Sequence, residues 1–172
     1  MSDWTGNATG VWKTAGASNH AAGERERDDY YATEPSAVDK LLAVEQTHSL
    51  IWECAAGGGH LARRLTERGF EVYASDICDR GYPLDVRLDF LTANWFDIPR
   101  GGSALFDILT NPPYKYAKEF VLKALELLPA GGRCYMFLKL TFLEGKARRK
   151  LIFDRTPPRL ARQKRQFQEH IA

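Results

Sequence analysis

The chain has 172 residues, enough for one domain in which a sheet is covered by helices on both faces. Its 44% hydrophobic and 27% charged residues are ordinary for a globular protein, and no apolar run approaches the roughly 20 residues of a membrane span. The net charge of +2 is unevenly spread: from Lys139 to Arg165 ten basic residues stand against Glu144 and Asp154, a local balance of +8, so the remaining 14 basic and 20 acidic residues give −6. That asymmetry points to a polyanionic partner for the C-terminal third, and a membrane partner is not expected. Met1-Ser-Asp-Trp-Thr-Gly lacks the basic and apolar pattern of a secretory signal, which places the chain in the cytoplasm. Cys54, Cys78 and Cys134 are odd in number and lack zinc-site spacing, so they read as reduced structural thiols with no metal.

In chain order, residues 1–29 are rich in Gly, Ala, Ser, Thr and Asn before turning charged, and read as a flexible arm. The spacing of Val38, Leu41, Leu42 and Glu45 predicts an amphipathic helix over 36–46. Residues 50–55 form a first strand, and Ala56-Gly-Gly-Gly59 turns the chain into a helix over 60–68 that Gly69 closes. A second strand over 71–75 ends at Asp76, and a short third follows over 86–90. Phe106 to Thr110 is a buried fourth strand, residues 116–128 a helix, and residues 133–140 a fifth strand. Alternating strands and helices imply an α/β fold with a mostly parallel sheet joined by right-handed crossovers.

Two loops carry chemistry. Glu53-Cys-Ala55-Ala-Gly57-Gly-Gly59 stands where backbone and ligand approach closely at the end of the first strand. Gly57 to Ala62 also fits the dinucleotide fingerprint G-x-G-x-x-A, with Asp76 as a ribose acceptor, so a nucleoside cofactor is expected and its kind is left open by this loop. The fourth strand runs into Asn111-Pro112-Pro113-Tyr114. Prolines cannot continue the strand and force an extended conformation on the residue before them, so Asn111 is held rigidly at the sheet edge where α/β proteins bind ligands. The Asn111 side-chain oxygen and the Pro112 carbonyl can both accept from one planar amino group while Tyr114 stacks on the attached ring. An amino group gripped in this way has its lone pair turned out of conjugation toward an electrophile.

Taken in this order, Glu53-x-Ala-x-Gly-x-Gly59, Asp76, Asp89-Phe90 and Asn111-Pro-Pro-Tyr114 resemble the S-adenosylmethionine-dependent amino-methyltransferases, most closely small phage-type or prophage-type DNA adenine-N6 methyltransferases. The similarity runs from about residue 30 to about 160, leaving 161–172 as a polar basic tail. It implies a Rossmann-like class I methyltransferase fold and, residue by residue, a set of roles. Gly57 and Gly59, with Ala55 between strand and loop, would cradle the methionine part of the cofactor, with Glu53 near its amino group. Asp76 would accept from the ribose hydroxyls and Asp89 from the adenine amino group, and Phe90 would pack on that ring. Tyr31 and Pro35 would cover the methionine end. DNA, or RNA, would lie against Lys139, Lys146, Arg148, Arg149 and Lys150.

The chain departs from this pattern at Ala56 and Gly58 and, more, after Leu160, where relatives add a last pair of strands and this sequence continues as a polar stretch. An uncovered fifth strand would invite a dimer through the sheet edge or a tail folded over it. Three function classes stay open at this point. The first is an N6-adenine methyltransferase on DNA or RNA. A methyltransferase fold that binds nucleic acid or a partner without turnover is the second, favoured by the absent strands, and a nucleotide-dependent oxidoreductase is the third. The glutamine-methylating class shares the corner motif, but the basic segment argues against a purely protein substrate.

Overall fold

A computed structural model describes residues 33–99 and 104–159, so the expected arm over 1–29 and the tail over 161–172 lie outside the described residues. Helix α1 is Ser36–Leu42, strand β1 Leu50–Glu53, helix α2 His60–Glu67 and strand β2 Glu71–Asp76. Strand β3 is Val86–Arg87, β4 Asp107–Thr110, helix α3 Ala117–Leu127 and strand β5 Cys134–Met136. All strand pairs are parallel and the order across the sheet is β3-β2-β1-β4-β5. This architecture is α/β and compatible with a Rossmann-like fold.

Side chains of a strand alternate between faces, and both faces here are apolar. Leu50 and Trp52 of β1 and Ile108 of β4 face Phe120, Ala124 and Leu127 of α3 together with Phe90 and Phe106. Ile51 and Leu109 face the other way, toward Val38 of α1 and Leu61 and Leu65 of α2. Helices therefore cover both faces, as the alternating pattern predicts. Arg64 of α2 and Arg68 just beyond it clasp Asp39 of α1 at 2.7 Å each, and the Arg64 guanidinium holds the Asp39 carboxyl below the usual carboxylate range. At the entry edge of the sheet, fully buried Asp107 accepts from the His48 N–H at 2.8 Å and the Arg133 N–H at 2.8 Å and pairs with His48 Nδ1 at 2.7 Å, tying the chain ahead of β1 to β4 and β5.

Three elements are shorter than their sequence patterns suggest. Helix α1 stops at Leu42 because Ala43, Val44 and Glu45 close it with hydrogen bonds back to Asp39 and Leu41. The third strand ends at Arg87, since the Asp89 carboxylate accepts from the Leu91 N–H at 2.9 Å and turns the chain into a 3-10 helix over Phe90–Thr92. The fifth strand ends at Met136 because its neighbour β4 stops at Thr110; after the last ladder bond, Phe137 N–H to the Thr110 carbonyl, two prolines offer no continuation. Leu140–Glu144 is instead a 3-10 helix, followed by one α-turn over Lys146–Arg148 and a π-helical turn over Arg149–Phe153. Among the described residues no strand follows β5, and no helix is long and apolar enough to cross a membrane.

Candidate active site

Strand order reverses between β1 and β4, and in open α/β sheets ligands bind outside the carboxyl ends of the strands at that reversal. A small, partly open cleft lies there, lined by Thr33, Glu53, Ala55, Ala56, His60, Leu61 and Asn111. It brings together two residues expected at the cofactor, Glu53 and Ala55, with Asn111 of the amino-binding corner.

The glycine loop has the backbone that its composition permits. Gly57 and Gly59 take positive φ of 55° and 78°, Gly59 N–H closes a turn on the Ala56 carbonyl at 2.8 Å, and α2 starts from Gly59. Asp76, at the tip of β2, accepts from the Gly57 N–H at 2.8 Å through one oxygen and from the Cys78 N–H at 2.8 Å through the other. A carboxylate has further lone pairs, so the residue is compatible with a ribose contact, but here it tethers the loop to β2. Sequence reasoning misses Tyr82, whose ring lies so close on Gly59 that a Cβ there would stand 2.0 Å from it, while the Arg63 guanidinium sits 4.8 Å from the ring centre. A tyrosine in a loop has no periodicity to reveal such a contact.

Glu53 is 1% exposed, and burial pushes its carboxyl up to about 8, with Asp76 acting in the same direction against the opposing Thr110 hydroxyl and Ala55 N–H. One oxygen accepts from the Ala55 N–H at 3.2 Å; the other, Oε2, and the neighbouring Thr110 hydroxyl are both buried and make no hydrogen bond of good geometry among the described residues. An orphaned acceptor on a cleft wall is costly unless a ligand donor completes it. A positively charged donor beside Glu53 would favour the ionised carboxylate and complete this oxygen, so the residues present are compatible with the amino end of S-adenosylmethionine.

The pKa of Glu53 has a consequence for stability. Between about pH 4.5 and 8 the folded protein keeps a proton that the unfolded chain releases, so stability falls as pH rises through this window and levels above it. Glu53→Gln is expected to remove this slope and leave the ligand-free protein more stable than wild type at pH 8, by about 1–3 kcal/mol, with the gap closing toward pH 5. The same change is expected to weaken cofactor binding by about 1.5–3 kcal/mol, the scale for hydrogen bonds to charged groups. Urea denaturation at pH 5 and 8 with calorimetric titration checks both; parallel pH profiles for the two proteins would rule out the buried carboxyl as the source of the slope.

Beside Glu53, the adjacent strand β4 delivers Asn111, and its Nδ2 donates to Thr33 Oγ1 at 2.8 Å. Pro112 is buried, Pro113 caps a 3-10 turn over Tyr114–Tyr116, and Tyr116 N–H donates to the Pro113 carbonyl at 2.9 Å. The Lys139 ammonium lies 4.9 Å from the centre of the Tyr114 ring, so the first residue of the basic segment is seated on the aromatic of the corner.

Other expected site residues fall elsewhere. Phe90 is 2% exposed and its ring meets Trp52 at 5.2 Å and Phe120 at 5.1 Å, so core packing accounts for it and it does not line the cleft. Asp89 uses one carboxylate oxygen to cap the following turn. Pro35 is exposed at the start of α1, beside the cleft, and Tyr31 lies outside the described residues. Arg148 also serves its own segment: its guanidinium donates to the carbonyls of Phe142 and Thr141 and stacks on the Phe142 ring at 4.9 Å. Lys146, Arg149 and Lys150 are exposed, with Arg149 3.5 Å from Asp154. The cysteines are free; burial raises the Cys54 thiol well above its ordinary value and the Cys134 thiol to about 12, opposite to what a thiolate nucleophile needs. No protein-family model, curated protein or solved structure matches this chain.

Proposed function

We propose that the chain transfers a methyl group from S-adenosylmethionine to an exocyclic amino group of a nucleobase in a polynucleotide, adenine N6 of DNA in the first place. The observation that carries this reading is one cleft lined both by Glu53, whose Oε2 lacks a hydrogen-bond partner among the described residues, and by Asn111 of the prolyl corner. A donor end and an amino-accepting end are both needed for methyl transfer, and a nicotinamide enzyme has no use for the second. The sheet order is compatible with the class I methyltransferase fold.

When bound, S-adenosylmethionine supplies an electrophilic methyl group whose bond to sulfur breaks as the bond to nitrogen forms, the electron pair staying on sulfur. Glu53, ionised beside that positive charge, would hold the ammonium end, and the positive-φ backbone of Gly57 and Gly59 would let the loop approach the ligand closely. Asn111 Oδ1 and the Pro112 carbonyl accept from the two N–H bonds of the target, draw its lone pair out of conjugation and stabilise the positive charge that grows on nitrogen. The surplus proton then leaves to water, so no strong base is required. Tyr114 offers a ring face to a base flipped out of a duplex. The Lys139 ammonium beside that ring supports a nucleotide target over a glutamine side chain, because a nucleotide brings its phosphate to the same place.

Labelled methyl transfer to DNA, RNA and protein is the direct test. Incorporation into DNA as N6-methyladenine is the expected result; incorporation only into protein, or binding of the donor with no transfer to any polymer, would overturn the reading. Polynucleotide affinity is expected to fall with salt, with a log-log slope of several units if about five phosphates are neutralised. Neutralising Lys146, Arg149 and Lys150 together should flatten that slope by about two to three units, whereas Arg148→Gln, which loses the brace to Phe142 and Thr141, should cost stability and leave the slope nearly unchanged. Binding titrations across a range of salt concentrations separate the two, and a slope unmoved by the triple change would assign the phosphate contacts elsewhere.

A further inference from the structure

The Asn111 amide is two-sided: its oxygen only accepts, its nitrogen only donates, and a half-turn of the side chain exchanges them. Turned the wrong way, the amide would present N–H to the target's N–H, and the clamp would repel the group it has to grip. The amide must therefore be held in place. Asn111 Nδ2 donates to Thr33 Oγ1 at 2.8 Å, and both residues line the cleft. The two are 78 positions apart, and the first turn of α1 anchors Thr33: Ala37 N–H and Val38 N–H bond back to Glu34 and Pro35, and Val38 is fully buried under the sheet.

We propose that Thr33 is the positioning residue of the amino clamp, its hydroxyl tethering the Asn111 amide to the α1 side of the cleft and so holding it at the place of the target amino group. The inference rests on the methyl-transfer reading and adds to it a residue outside the corner motif. Its effect is on the reacting geometry. With a methyl group in place of the hydroxyl, the amide would lose a part-buried hydrogen bond and would be free to leave the position that works.

Thr33→Val is expected to lower kcat about tenfold to hundredfold, with KM for DNA and the affinity for S-adenosylmethionine changed less than about threefold. Thr33→Ser, which keeps the hydroxyl, is expected to restore kcat to within about threefold of wild type. A readout independent of turnover is the Asn111 side-chain amide in nitrogen-15 NMR spectra. Its Nδ2 protons should shift and exchange faster with solvent in Thr33→Val and remain near their wild-type positions in Thr33→Ser. A folded Thr33→Val protein with wild-type kcat and unshifted amide signals would overturn the proposal, as would a folded Thr33→Ser protein that stays as slow as Thr33→Val. If wild type methylates no polymer, the methyl-transfer reading fails by itself, and the amide spectra still decide whether Thr33 holds Asn111.

Discussion

Asn111→Ala is expected to cut methylation at least about a hundredfold while leaving S-adenosylmethionine affinity nearly intact, since in the proposed reading Glu53 and the glycine loop meet the methyl donor and Asn111 meets the target. The Asn111 oxygen matters most when positive charge has developed on the target nitrogen, which is a property of the transition state, so the loss should fall on kcat more than on KM. Removing the amide also strips Thr33 Oγ1 of its 2.8 Å donor, but that hydroxyl can turn to water in an open cleft, and the fold should lose little. Single-turnover methylation and calorimetric titration of the same variant make the measurement. Equal rates for wild type and Asn111→Ala would refute the amino-clamp reading, because no other residue of the corner supplies a side-chain amide oxygen.

The glycine loop should respond quite differently. Gly59→Ala is expected to damage folding and cofactor binding together, for two reasons that can be separated. A φ of 78° is a backbone conformation that costs a non-glycine residue about 1–3 kcal/mol. Beyond that, the new Cβ would stand 2.0 and 2.3 Å from Cδ2 and Cγ of Tyr82, near the root of the side chain, so the ring would have to leave the loop and its contact with Arg63. Gly69→Ala is the control: φ is 88° there and nothing lies within 4 Å of the added atom, so only the backbone cost applies. Urea denaturation should show Gly59→Ala as the more destabilised of the two, and the added change Tyr82→Ala should bring it back toward Gly69→Ala. S-adenosylmethionine affinity should fall at least about tenfold in Gly59→Ala and stay unchanged in Gly69→Ala. Similar losses in both variants would mean that Tyr82 does not press on the loop.

The positions of the strands and of the corner are legible in the chain because their causes are local. An apolar run such as Leu50–Glu53 or Asp107–Thr110 must be buried on both faces, and two prolines soon after Thr110 stop a strand wherever it folds. Alternation of strands with helices is enough to expect the parallel sheet, and the glycines at 57 and 59 adopt the positive φ that their lack of a side chain allows. Which remote groups meet is not legible in the same way. The donation from Asn111 to Thr33 spans 78 residues, the hold of Asp107 on His48 spans 59, and neither pair leaves a periodic trace. The family resemblance gives Phe90 a ligand-facing ring, and the tertiary fold packs it against Trp52 and Phe120 in the core; Arg148 belongs to a basic run, and two carbonyls of its own segment accept from its guanidinium. Local composition determines the conformations that a segment can adopt, but the charge of a buried carboxyl such as Glu53, and the choice between structural and binding roles for a side chain, depend on neighbours that only the tertiary fold brings together.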